Sequence, residues 1–161
     1  MTDKKFNRRE VREKCLQILY AFEMNGEGLT SITNGILSDV NKKVDKEFGE
    51  TLVNKVVGNQ KEIDEKIKER VNNWEMDRIA LIDKLLLRMG IAELLYFNDI
   101  PPKVSINEVI EIAKNYSTSN SGKFINGILD AILNELKKNG LISKTGRGLI
   151  DETLPKKNEQ T

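Results

Sequence analysis

Apolar residues recur along most of this chain at three- and four-residue spacing, and alternation with a period of two is almost absent, so the pattern is helical. The first segment runs from Asn7 to about Asn25. Asn7 and Glu10 have the spacing of a capping box, and Gly26 and Gly28 supply a stop. A weaker helix is expected over Ser31 to Val40. A third begins near Asp45 and continues through Phe48, Leu52, Val56, Ile63 and Ile67, with a break around Gly58 and an interruption at Asn72-Asn73. From Arg78 to Phe97 apolar residues lie nearly all round, which marks a central helix enclosed by others. It cannot pass Ile100-Pro101-Pro102, because a residue preceding proline is pushed out of the helical region. Ser105 with Glu108 reads as the capping box of the next helix, with Val104 and Val109 as its hydrophobic staple. After the polar run Ser117 to Gly122 comes a last helix with the stripe Ile125, Ile128, Leu129, Ile132 and Leu136, ending at Gly140. The expected fold is an all-α compact bundle of about six or seven helices. One domain is expected over 1–142, followed by a polar tail over 143–161 with too few apolar residues to pack.

The 161 residues suffice for a hydrophobic core without staples. There is no histidine and a single cysteine, Cys15. That excludes Ser-His and Cys-His nucleophile pairs, imidazole-ligated zinc and any internal disulfide. No apolar run approaches a membrane span, and Met1 to Lys5 holds no apolar signal core, so a cytoplasmic protein is expected. No enzyme activity and no metal or cofactor is expected. Gly122 and Gly127 have neither the preceding strand nor the Gly-Lys-Ser pattern of a phosphate-binding loop.

Charge is distributed unevenly. Although 26 basic residues nearly balance 25 acidic ones, the first fourteen and the last twenty-five residues each carry an excess of three positive charges. The body between them is acidic. Basic ends on an acidic body hint at nucleic-acid contact. On a helical wheel Lys5, Arg8, Arg9 and Arg12 share about one third of the circumference, beside the apolar side made by Val11, Cys15, Ile18 and Phe22. Continued along the helix, that stripe reaches Leu16 and Tyr20. Arginines grip phosphates and stack on bases, and a tyrosine offers a π-face, which together suit single-stranded RNA. The competing account, favoured on composition alone, is an ordinary solvated face.

A second feature opens the last helix. Phe124 lies about 100° and Lys123 about 160° from the buried stripe, near a helix N-terminus that favours anions. Either they touch a nucleotide, or Phe124 plugs the rim of the core, which is the simpler reading of the residues alone. Asp83 and Glu93 fall near the most apolar side of the central helix, so each either pairs with a base such as Arg88 or faces a partner protein. Trp74, followed by Asp77, suits a helix junction, and Cys15 suits a buried small hydrophobe.

Three blocks together resemble the NusB family of bacterial transcription antitermination factors. They are Arg8-Arg9 with Arg12, leading into Cys15, Gln17 and Tyr20; Asp83 to Arg88 with Ala92-Glu93; and Ile100-Pro101 through Val104, Asn107-Glu108, Glu111 and Lys114 to Lys123-Phe124 and Asp130. The likeness spans about residues 7–136, and its third block is the most specific. It implies an all-helical protein that binds boxA RNA together with NusE, a ribosomal small-subunit protein, within the antitermination complex on RNA polymerase, notably during ribosomal RNA synthesis. It also implies that Arg8, Arg9, Arg12, Tyr20, Lys123 and Phe124 face RNA, and that Asp83, Asp77 and Asn120 lie toward NusE. Asn120 departs from the pattern, because the best-known member has an aspartate there. Alternatives are a helical protein-interaction module and a stand-alone accessory domain of an RNA-modifying system, since some RNA methyltransferases carry such a domain. A homodimer is compatible with each.

Overall fold

The computed structural model describes residues 7–149, the side chain of Asn73 excepted. These residues form eight α-helices and a closing 3-10 turn: α1 (Arg8–Asn25), α2 (Leu29–Ile36), α3 (Lys43–Gly58), α4 (Gln60–Lys68), α5 (Asn73–Arg78), α6 (Leu81–Tyr96), α7 (Pro102–Tyr116), α8 (Ser119–Lys138) and the turn Gly146–Leu149. No helix among them is long and apolar enough to cross a membrane.

α6 is the axle. Its residues Leu85 to Leu94 are all buried, and it packs against α1, α3, α4, α7 and α8. A helix apolar on every side can only be stable when neighbours cover every side. Its approach to α8 is close: a Cβ placed on Gly90 would stand 2.8 Å from Leu129 Cδ1. The expected opening of α1 is present, with the Asn7 side chain capping Glu10 N at 2.8 Å and Glu10 reaching back. The break at Gly58 separates α3 from α4, and the stop at Pro101 separates α6 from α7.

Several boundaries differ from the sequence reading. Asn72 does not merely interrupt a helix; it caps α5 through a second capping box with Glu75. α7 starts at Pro102, whose missing N–H costs nothing in a first turn, rather than at Ser105. Ser105 is wholly buried and donates to Glu93 at 2.9 Å, and Val104 is 44% exposed, so neither the capping box nor the staple forms there. α8 is capped by Thr118, one turn earlier than expected. The expected unpacked tail is, up to Leu149, folded back onto the C-terminal end of α6. Lys144 Nζ donates to the carbonyls of Glu93 and Phe97, at 3.1 and 2.6 Å, and Thr145 N donates to Asn98 O. The rest of that tail, 150–161, lies outside the described residues.

Candidate nucleic-acid interface

The opening turn of α1 meets the Asp99–Pro101 loop, the start of α7 and the closing turn around an open groove of about 830 Å³. Arg8, Arg9, Arg12 and Arg147 line it together with Asp99, Ile100, Pro101, Val104 and Glu108. The basic stripe is therefore at a groove, but its guanidiniums are not free. Arg9 donates to Glu108 from both Nε (2.8 Å) and Nη2 (3.2 Å). Arg8 donates to Asp45 at 3.2 Å and lies 4.2 Å from the centroid of Phe48. Their side chains nevertheless remain 45% and 40% exposed. The Arg9 fork has five N–H donors and spends two on Glu108. That bond holds the Arg9 pKa above its ordinary value.

Arg12 corrects the expectation of an outward stripe. It is 3% exposed and makes a bidentate bond of 2.7 and 2.8 Å with Glu93, which is 0% exposed, so it forms the floor of the groove. Burial acts to lower its pKa, but the hydrogen bonds and charge of Glu93 outweigh this and the net shift is upward. Glu93 Oε1 also accepts from Ser105, so the buried charge is paired and hydrogen-bonded. Lys5 lies outside the described residues. Cys15 is buried as expected, its thiol pushed up by burial and donating to Gly49 O at 3.4 Å.

α1 and α7 run parallel. Arg9 meets Glu108, and eight residues further along both helices Gln17 Nε2 donates to Tyr116 Oη at 3.2 Å. Leading away from the arginines, this seam ends in a small apolar slot of about 220 Å³ lined by Leu16, Gln17, Tyr20, Ile82 and Tyr116. Tyr20 and Tyr116 are both exposed, at 42% and 38%. Arg9 to Tyr20 is about 16 Å of helix. Tyr116 and Gln17 were invisible as site residues in the sequence, because only the parallel packing of α1 on α7 brings them beside Tyr20.

Lys123 and Phe124 both lie on the exposed side of α8, Phe124 at 38% exposure, so it is not a core plug. It borders a second cleft, of about 500 Å³, with Trp74, Arg78 and Asp83. Trp74 is 61% exposed with the Arg78 guanidinium 3.9 Å above its ring, so it does not anchor the junction as expected. Asp77 and Asn120 are exposed. Asp83 is not: at 7% exposure its two oxygens accept from Ser117 Oγ (2.9 Å) and Ser121 Oγ (2.8 Å), which ties the α7–α8 junction to α6. The Asp83 side chain thus offers little free surface, although it lines the same cleft as Phe124. Arg88, a possible mate for these carboxylates, instead makes a bidentate bond with Asp64 at 2.8 and 3.0 Å.

No group of carboxylates and cysteine among the described residues could hold a metal ion. The site offers guanidiniums, amides and aromatic faces, which is binding chemistry. Comparison with known proteins points the same way. A sequence model of the NusB family matches residues 9–134. The transcription antitermination protein NusB of Chloroherpeton thalassium is 49% identical over 156 residues, covering 96% of this chain and 73% of its own length. That of Salinibacter ruber is 44% identical over 147 residues, covering 89% and 91%. Among solved structures, T. maritima NusB superposes with a TM-score of 0.76 at 38% identity, covering 82% of this chain and 94% of its own. A NusB solved with NusE and double-stranded RNA superposes with a TM-score of 0.73 at 26% identity, covering 80% and 96%. With the eight-helix architecture, the arginine-lined groove and these relatives in agreement, the chain belongs to the NusB family of transcription antitermination proteins.

Proposed function

We propose that this protein is an antitermination factor that binds boxA RNA jointly with NusE and so enters the antitermination complex on RNA polymerase, notably on ribosomal RNA operons. It works in the cytoplasm, by binding and without catalysis. The observation that carries this reading is the groove at the head of α1, where half-exposed Arg8 and Arg9 open onto a seam ending in two exposed tyrosines. Arginines at one end and aromatic faces at the other match what an unpaired RNA strand needs, phosphate contacts for position and stacking for bases. Arg12 serves by position: fixed on Glu93, it holds the floor on which Arg8 and Arg9 stand. Phe124 and Lys123 extend the RNA surface across the N-terminal end of α8, and exposed Asp77 and Asn120 lie toward NusE. Because each arginine of the opening turn already has a carboxylate, RNA affinity of the isolated protein is modest, and NusE supplies the remainder through surface of its own.

The test is a titration of labelled boxA RNA, with and without NusE, at two salt concentrations, using wild type and Arg8→Ala with Arg9→Ala. Each phosphate contact to a single strand carries a salt slope of about −0.7, so two contacts are worth roughly twenty-fold at ~0.1 M salt. The double variant should lose about that much affinity and flatten the slope by about 1.4. A folded double variant with unchanged affinity and slope eliminates the groove as the RNA site.

A further inference from the structure

The closing turn lies beyond the matched family region, yet it forms one wall of the same groove. We propose that Arg147, presented by this turn, is an additional phosphate-binding residue for RNA; the inference rests on the RNA reading of the groove. The turn is held by contacts that only its position on α6 explains. Lys144 Nζ donates to the carbonyls of Glu93 and Phe97 at the C-terminal end of α6, where a cation is favoured by the helix dipole. Burial there lowers the Lys144 pKa, against the pull of Glu93 and Asp99. Thr145 N donates to Asn98 O at 2.9 Å, and Gly148 N closes the turn on Thr145 O at 2.9 Å. Two glycines make the path possible. Gly146 has φ +53°, where a side chain is strained, and a Cβ on Gly148 would collide with the Asn98 carbonyl. A segment fitted this closely fixes the backbone from which Arg147 reaches the groove.

That guanidinium differs from the others. Arg8, Arg9 and Arg12 each bond a carboxylate, whereas Arg147 is exposed and has no carboxylate partner among the described residues. It faces a strand already positioned by Arg8 and Arg9, so the ligand group it meets is a backbone phosphate, for which a planar fork of donors is suited.

The full chain is titrated with labelled boxA RNA at several salt concentrations, comparing wild type, Arg147→Ala, Arg147→Lys, Gly148→Ala and Arg9→Ala, with helix content checked by circular dichroism. One phosphate contact is worth about five-fold at ~0.1 M salt. Arg147→Ala should weaken binding by about that factor and flatten the salt slope by about 0.7, while Arg147→Lys should keep most of the slope. Gly148→Ala, which displaces the turn, should reproduce the Arg147→Ala result. If Arg9→Ala weakens binding and Arg147→Ala does not, the assignment of Arg147 is overturned and the RNA reading stands. Gly148→Ala weakening RNA without a matching effect of Arg147→Ala overturns it equally. If neither arginine variant changes affinity or slope, the RNA reading of the groove itself fails.

Discussion

Removing Glu93 should damage this protein more than removing any surface acid, and the damage should be reversible by removing its partners as well. Glu93 is 0% and Arg12 is 3% exposed, and they share two hydrogen bonds under 2.9 Å, with Ser105 as a third member. Taking one ion away leaves the other buried without its counter-charge, which costs about 3–5 kcal/mol. In a chain of this size 1 kcal/mol moves the melting temperature by about 2–4 °C, so Glu93→Leu should melt on the order of 10 °C below wild type. Replacing the whole cluster by apolar residues of similar shape removes the desolvation cost along with the attraction. The triple variant Arg12→Met, Glu93→Leu, Ser105→Ala should therefore recover to within about 1 kcal/mol of wild type or exceed it.

Urea and thermal unfolding followed by circular dichroism supply the stabilities, and the single, double and triple variants give the coupling directly. The same proteins then separate structure from recognition. If Arg12 acts only as a floor, the folded triple variant should bind RNA within about three-fold of wild type, less than the loss of one phosphate contact. Glu93→Leu melting close to wild type would refute the buried-pair reasoning. A stable triple variant that lost RNA affinity ten-fold or more would show that Arg12 touches the strand itself.

In the proposed site Glu108 competes with phosphate for the fork of Arg9, so Glu108→Gln should tighten RNA binding a few-fold at low salt; unchanged or weaker binding would count against Arg9 as a contact. Tyr96 is raised from 10.0 to about 12, by burial first and then by its 2.9 Å bond to Glu62. A raised folded pKa means that the unfolded chain loses this proton first, so the contribution is intact below pH 10 and is lost as pH rises toward 12. The wild type should thus lose stability more steeply across that window than Tyr96→Phe, and a phenolate absorbance titration showing Tyr96 ionising near 10 would contradict the assignment.

Much of the architecture was legible because it rests on local rules. The all-round apolar run predicts the central helix, Pro101 its end, Gly58 the break between α3 and α4, and Asn7 with Glu10 the start of α1. Where those rules failed, a distant residue had claimed the side chain. Ser105 and Glu108 have the spacing of a capping box, but Glu93 takes the first and Arg9 the second. α5 was missed because six residues are too few for periodicity, although Asn72 and Glu75 repeat the signature that marks α1. For the site, the helical wheel placed Arg8, Arg9 and Arg12 together correctly. It could not show that α1 is covered by α2, α3, α6 and α7, which widens its buried arc to take in Arg12, Leu16 and Leu19. The partner that makes burial of Arg12 tolerable, Glu93, is 81 positions away.

The same ion pairs link fold and function in one respect that composition hides. The acidic body of the chain is not simply a counterweight to its basic ends, because Asp45, Glu93 and Glu108 reach into the basic groove and neutralise it locally. A groove of unpaired arginines would bind any nucleic acid through counterion release, with no preference for sequence. Pairing Arg8, Arg9 and Arg12 reduces that indiscriminate attraction while fixing their forks in place, so in the proposed site binding depends on whether a strand also satisfies the tyrosine slot and the edge at Phe124. On the proposed reading of the groove, low charge and fixed geometry favour a particular unpaired sequence over bulk RNA. The cost is affinity, which a second protein bound alongside can restore without restoring the indiscriminate term.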